Sequence, residues 1–201
     1  MNELSDKTPF HCLIVGPTNC GKTAYLIEQL RGPFRGVFEY IVLICPTYSN
    51  NNYKTYNFAK GDKNVIVCMP DASNQDEIDE LLGYCIDLFS GTNTLVILDD
   101  CAVSQDLKKR SNKFIDLAFS GRHAYRFKFM GTQQQLTSIA KPFRENVACV
   151  IAFYNPSQTA TKILFDDYGG DLDLEERKKE NFDVDVEILA GTPFMSTNDI
   201  A

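Results

Sequence analysis

Eight residues, Gly16-Pro17-Thr18-Asn19-Cys20-Gly21-Lys22-Thr23, follow directly on the apolar run Phe10-His11-Cys12-Leu13-Ile14-Val15 and lead into Ala24-Tyr25-Leu26-Ile27. They fit G-x-x-x-x-G-K-[ST], a pattern that needs a strand before it and a helix after it, and both are present. Glycines let the backbone wrap so that successive N–H groups converge on phosphate oxygens at a helix amino end, where the dipole favours negative charge. In that arrangement Lys22 reaches the β- and γ-phosphates and the Thr23 hydroxyl serves Mg²⁺. The bland reading is a glycine-rich strand-to-helix turn that binds nothing.

A second stretch bears on the choice. Thr94-Leu95-Val96-Ile97-Leu98 reads as a strand covered on both faces, and Asp99-Asp100 stands at its carboxyl end, where open α/β sheets bind their ligands. A chelated Mg²⁺ needs an acidic oxygen there, and hydrolysis needs a carboxylate to orient or deprotonate water. Asp99 suits the first task and Asp100 the second. Alone, the pair could be no more than a turn beginning with two aspartates; downstream of a phosphate loop it reads as the rest of a nucleotide site.

Further strand-like runs are Phe38–Cys45, Asn64–Cys68, Arg126–Met130 and Val147–Phe153. Helical patterns lie between them: Ala24–Leu30, stopped by Gly32-Pro33; a helix capped by Ser73 and ending before Gly91; and one from Ser104 or Gln105 to Ser120. Together these describe an α/β P-loop NTPase with a mainly parallel central sheet flanked by helices. The helix over 104–120 carries Lys108, Lys109, Arg110 and Lys113, the densest basic cluster in the chain, read first as a solvated face and second as a DNA-phosphate contact. Beyond residue 155 the pattern weakens. Thr161–Phe165 suits a strand or a helix, Asp171–Glu180 a charged helix, and Val184, Val186 and Ile188 alternate with acids as on an edge strand. The end from Gly191 is expected to be mobile.

The formal net charge of −7 belongs mostly to this last part: residues 166–201 hold 11 acidic side chains against 3 basic ones. We therefore expect a P-loop ATPase core over 1–165 and an acidic, partly ordered extension over 166–201. A near-neutral core excludes a strongly basic nucleic-acid binder, but not a motor that touches a few phosphates through one loop. The seven cysteines, odd in number and without a C-x-x-C pair, read as reduced thiols, with Cys20 a passive loop residue. With no signal peptide and no apolar run of membrane-spanning length, an intracellular place is expected.

The stretch Ser120-Gly121-Arg122-His123, then Thr132-Gln133, Phe143-Arg144-Glu145-Asn146 and Ile151-Ala152-Phe153 resembles the FtsK–HerA superfamily of DNA-pumping ATPases. Within it, the chain is most similar to the compact viral genome-packaging ATPases of poxviruses, giant viruses, virophages and related transposons, over roughly residues 10–155. The resemblance implies a RecA/ASCE-like fold, with Lys22 and Thr23 on ATP, Asp99 on Mg²⁺, Asp100 acting on water and Gln133 as a sensor. It also implies an arginine supplied to a neighbouring subunit's site, Arg122 first and Arg144 second. The implied activity is translocation of double-stranded DNA into a capsid by a homo-oligomeric ring, in a host cytoplasm or nucleus or in the virion, with capsid protein a further partner. Two departures stand out: many members carry Glu where Asp100 stands, and Gln134-Gln135 replaces an Arg-Pro that often follows the sensor. The rival readings are a nucleotide or small-molecule kinase and a non-motor, nucleotide-dependent assembly factor.

Overall fold

The computed structural model describes residues 11–50, 53, 62–71, 77–101, 127–134, 139, 141–147, 149–168 and 186–189. The apolar runs form seven strands: β1 (His11–Val15), β2 (Tyr40–Ile44), β3 (Val65–Cys68), β4 (Thr94–Leu98), β5 (Phe127–Gln133), β6 (Cys149–Phe153) and β7 (Val186–Leu189). They make one sheet in the order β3-β2-β4-β5-β1-β6-β7. Every ladder is parallel.

Parallel strands need crossovers, which cover both faces of the sheet, so a central strand is apolar throughout rather than alternating. All residues of β1 and β4 are accordingly buried. Side chains still alternate between faces. Leu13, Val15, Val42, Ile44, Val96, Leu98, Phe129, Val150 and Ala152 share one face with Ile78, Leu82 and Cys85 of α2 (Glu77–Phe89) and with Phe143 of α3 (Lys141–Arg144). Cys12, Ile14, Leu43, Leu95, Ile97, Met130 and Ile151 face the other way, onto Leu26, Ile27 and Leu30 of α1 (Lys22–Arg31) and onto Tyr53. A fourth helix, α4 (Gln158–Tyr168), lies over the first face; Ile163, Leu164 and Tyr168 pack there, yet none of its residues is fully buried.

The ambiguous stretch 161–165 is thus helical, and the boundary expected at residue 165 falls inside α4. Residues 186–189, within the acidic part, pair in parallel with β6. α2 is described only from Glu77, so its expected cap at Ser73 lies outside the described residues, as do the helix over 104–120, the segment 171–180 and the end from 191. No helix among the described residues is long and apolar enough to cross a membrane.

The strand order decides where the site is. β5 stands between the strand that leads into the glycine-rich loop and the strand that ends in the two aspartates. With all strands parallel, the carboxyl ends of β4, β5, β1 and β6 open side by side on one edge.

Candidate functional site

At the end of β1, the Gly16 N–H donates to the Gln133 carbonyl at 3.1 Å, tying the start of the loop to the end of β5. A Cβ at position 16 would lie 2.7 Å from Phe153 Cβ and 2.8 Å from Cys20 Sγ, so only glycine fits. Asn19 and Gly21 both take left-handed φ values, 62° and 104°, which turn the chain back on itself before α1 begins. No side chain caps α1 and its first turn holds no acid, so its free N–H groups and its dipole favour an anion at this end. The Lys22 ammonium crosses the loop, donating to the carbonyls of Gly16 at 2.9 Å and Pro17 at 2.8 Å and lying 3.9 Å from Cys20 Sγ. The residues between, Pro17, Thr18, Asn19 and Cys20, form the loop itself.

Thr23, one residue into the helix, donates to Asp99, with its Oγ1 3.1 Å from Oδ2 and 3.4 Å from Oδ1. Asp99 is 1% exposed and also accepts from the Thr132 hydroxyl. Burial pushes its carboxyl above the usual carboxylate range; hydrogen bonds from Thr132, Tyr53 and Thr23 pull it down again, and the charge of Asp100 adds to the rise. A buried anion must be held by donors, and these three hydroxyls provide them.

Asp100 has a different setting. Its φ of 56° turns it out of line with β4, its side chain is exposed, and Oδ2 accepts from Thr47 Oγ1 at 2.8 Å. Its N–H donates to Thr132 Oγ1 at 3.3 Å, so one hydroxyl on β5 fixes both aspartates. A non-glycine residue in the left-handed region costs of order 1–3 kcal/mol and persists where its surroundings impose it. Gln133, next after Thr132, is 2% exposed at the carboxyl end of β5, between the acids and the loop.

Of the residues expected at the site, Gly16 to Thr23, Asp99, Asp100 and Gln133 thus meet along this edge. Arg144 does not. It precedes the amino end of β6, and its guanidinium pairs with Asp167 of α4 while its carbonyl accepts from the Tyr168 hydroxyl at 3.0 Å. These contacts lie within its own chain, where α3 and the end of α4 converge. Arg122 lies outside the described residues, as do Lys108, Lys109, Arg110 and Lys113. Sequence reasoning missed Thr47, Tyr53 and Thr132 as partners of the acids. For Thr47 the signal was its place just past the carboxyl end of a central strand, where ligand-facing groups of such sheets gather.

Thr23 and Asp99 present hard oxygen donors to one point, a set that fits Mg²⁺. Among the described residues no group of three or more His, Cys, Asp or Glu side chains could hold a metal ion alone. That composition suits a metal shared with phosphate oxygens and water.

On the other side of the loop a cavity of about 330 Å³ opens between β1, β6 and α4, bounded by Val15, Gly16, Ala152, Phe153, Tyr154 and residues of α4.

Residues 1–166 match the protein family described as "Poxvirus A32 protein". No curated protein sequence matches the chain. Among solved structures, the genome packaging NTPase B204 from Sulfolobus turreted icosahedral virus 2, in complex with ATP-gammaS, superposes with a TM-score of 0.62 at 15% identity, over 88% of this chain and 89% of that one. B204, the DNA-packaging ATPase from Sulfolobus Turreted Icosahedral Virus, gives 0.60 at 16% identity over 79% and 82%. EssC (ATPases 2 and 3) from Geobacillus thermodenitrificans gives 0.55 at 15% identity, over 83% of this chain and 36% of that one. These likenesses establish a shared fold.

Proposed function

The chain belongs to the poxvirus A32 protein family, and on that premise we propose that it is an Mg²⁺-dependent ATPase that drives double-stranded DNA into a viral or virus-like capsid. The observation that carries the hydrolytic part is the meeting of Thr23 with Asp99 across 76 residues of chain, with exposed Asp100 beside it. A bound triphosphate lies along the loop against the N–H groups of α1, with its terminal phosphate toward β5 and β4. Thr23 and Asp99 would hold Mg²⁺, which when bound would neutralise charge that builds on the phosphates. Lys22 leaves its carbonyl partners for the phosphate oxygens, a stronger charge-assisted contact.

Asp100 orients the attacking water and accepts its proton. Its exposure gives water access, and its Thr47 and Thr132 contacts fix its direction. Gln133, whose carbonyl holds Gly16, registers the terminal phosphate and passes its loss to the loop. The subunits assemble as a homo-oligomeric ring, and Arg122 of one serves the site of the next. Lys108, Lys109, Arg110 and Lys113 contact the DNA backbone, and capsid protein is the docking partner. The B204 structures, from packaging enzymes and with an ATP analogue in one case, support this reading.

The test is ATP turnover measured with and without double-stranded DNA across protein concentration. Steep concentration dependence and DNA stimulation are expected, since an arginine supplied in trans is worth roughly 10³–10⁵ in rate. Asp100→Asn should keep ATP binding and lose turnover. Full packaging activity in that variant would remove the motor reading in favour of a nucleotide-dependent assembly factor.

A further inference from the structure

α2 is apolar on two sides. Inward, Ile78, Leu82 and Cys85 are buried against the sheet, with Leu81, Ile86 and Phe89 packed at the margins. An amphipathic helix that buries one side in this way should be polar on the other, and α2 is not. Among the described residues the large apolar side chains left exposed are Met69, Tyr84, Leu88 and Tyr154, and two of these stand on α2, Tyr84 61% and Leu88 73% exposed. At i and i+4 they lie one above the other on a single row of the helix, which Glu80 continues toward the amino end. Single exposed apolar side chains are ordinary, but an adjacent pair on a row that the core does not use marks a contact surface.

Charge says what the contact takes. α2 carries Glu77, Asp79, Glu80 and Asp87 and no Lys, Arg or His. Acids in the first turn suit the helix dipole, but Asp87 lies in the last turn, where the dipole favours a cation. Glu80 and Asp87 are exposed beside Tyr84 and Leu88, and among the described residues neither is paired with a cation. A nucleic-acid backbone or an anionic lipid surface would be repelled here. A second copy presenting the same face would bring the acids of both copies together. We propose that the outer face of α2 docks a basic, amphipathic segment of a partner protein. Its apolar side chains cover Tyr84 and Leu88, and its Lys or Arg groups meet Glu80 and Asp87 at the rim. Tyr84 suits the centre of such a contact, since a rigid ring buries a large area at low entropic cost and accepts the stem of a Lys or Arg across its face. The face points away from the sheet, so docking uses none of the groups assigned to the nucleotide.

Two synthetic peptides test this on the full chain: an amphipathic helix of leucine and lysine, and its twin with glutamate in place of every lysine, each labelled for fluorescence anisotropy. The lysine peptide should bind the wild type about tenfold tighter than its twin, or more. Tyr84→Ser combined with Leu88→Ser should weaken it by about tenfold or more. Glu80→Lys combined with Asp87→Lys should reverse the preference, so that the glutamate peptide binds the tighter. All four positions are exposed, so circular dichroism should show the wild-type fold; if either double variant does not fold, Leu88→Ser and Asp87→Lys alone decide. ATP turnover should match the wild type in every variant, which keeps docking separate from hydrolysis. Equal affinity for the two peptides would reduce the face to unselective apolar contact, and lysine-peptide affinity unchanged by the serine variants would put the binding on other acids of the chain; either result overturns the proposal. Wild-type sedimentation that depends on concentration and loses that dependence in Leu88→Ser would overturn it in favour of a second copy. Failure of the lysine peptide to bind the wild type would overturn it outright.

Discussion

The carboxyl edge of the sheet holds two settings either side of one loop. On the β4–β5 side, polar groups hold one another: Thr23, Thr132 and Tyr53 surround buried Asp99, and Thr47 and Thr132 fix exposed Asp100. On the β6–α4 side the surface is apolar, a helix lies half-packed, and space remains. The first setting costs stability, because a carboxylate is out of water and Asp100 sits in a left-handed conformation. The second forgoes stability that a filled core would have supplied. Both deviations from close-packed, satisfied structure lie against the same loop.

Gly16 is the joint between the two settings, and breaking it should have the largest effect. Gly16→Ala forces a methyl to within 2.7 Å of Phe153 Cβ, which is fixed to the backbone, and 2.8 Å of Cys20 Sγ. Overpacking of this kind costs about 1–3 kcal/mol, and the loop must lift from β6. We expect ATP and tripolyphosphate binding to be lost together. Calorimetry with both ligands checks this; retention of tripolyphosphate binding would show that the loop tolerates displacement and that the two settings are less tightly joined.

The stability cost on the acidic side has a pH signature. An unfolded aspartate titrates near 3.9, and burial raises Asp99 above that in the fold. Between the two values the native state binds more protons than the unfolded one, so this group's contribution to stability falls as pH rises through that interval. Below the unfolded pKa the cost is absent, and above the folded pKa it is complete. Asp99→Asn removes the titration. In metal-free protein, the Tm of the variant minus that of the wild type should therefore increase from about pH 4 toward neutrality. Each unit of pKa elevation is about 1.4 kcal/mol, or roughly 3–5 °C for a chain of this size. A difference that stays flat or shrinks with pH would mean that the three hydroxyls outweigh burial. Hydrolysis should be lost in the variant at every pH.

What could be read from the chain alone divides along the same line. The loop was legible because its demands are met within eight consecutive residues, and the aspartates because they follow an unbroken apolar run. Parallel strands announced themselves in the same way, since burial on both faces leaves no alternation to confuse. Contacts set by strand order were not legible: that Thr132 touches both acids follows from β5 lying between β4 and β1, and no local pattern encodes that neighbourhood. Nor was the cavity, which depends on how far α4 stands from the sheet, and its sequence over 161–165 suited a strand as well as a helix.

Arg144 offers the smallest effect and a direct choice between two roles. Sequence similarity makes it a second candidate for an arginine acting on a neighbour; the geometry makes it the clamp that holds the end of α4 to α3. Its side chain is 13% exposed and that of Asp167 25%, so the pair is neither fully screened nor fully desolvated. Arg144→Ala loses the ion pair but keeps the Tyr168 hydroxyl on the main-chain carbonyl, and it also removes a buried Nε that has no hydrogen-bond partner. The net cost should be about 1 kcal/mol, a fall in Tm of about 2–4 °C. A clamp predicts that Asp167→Asn reproduces this shift, and that DNA-stimulated turnover stays within a few-fold of the wild type in both variants. A trans-acting arginine predicts the opposite pattern: turnover down by roughly 10³ or more in Arg144→Ala at nearly unchanged Tm, with Asp167→Asn active. That outcome would move Arg144 from a clamp within its own chain to the chemistry of the next subunit.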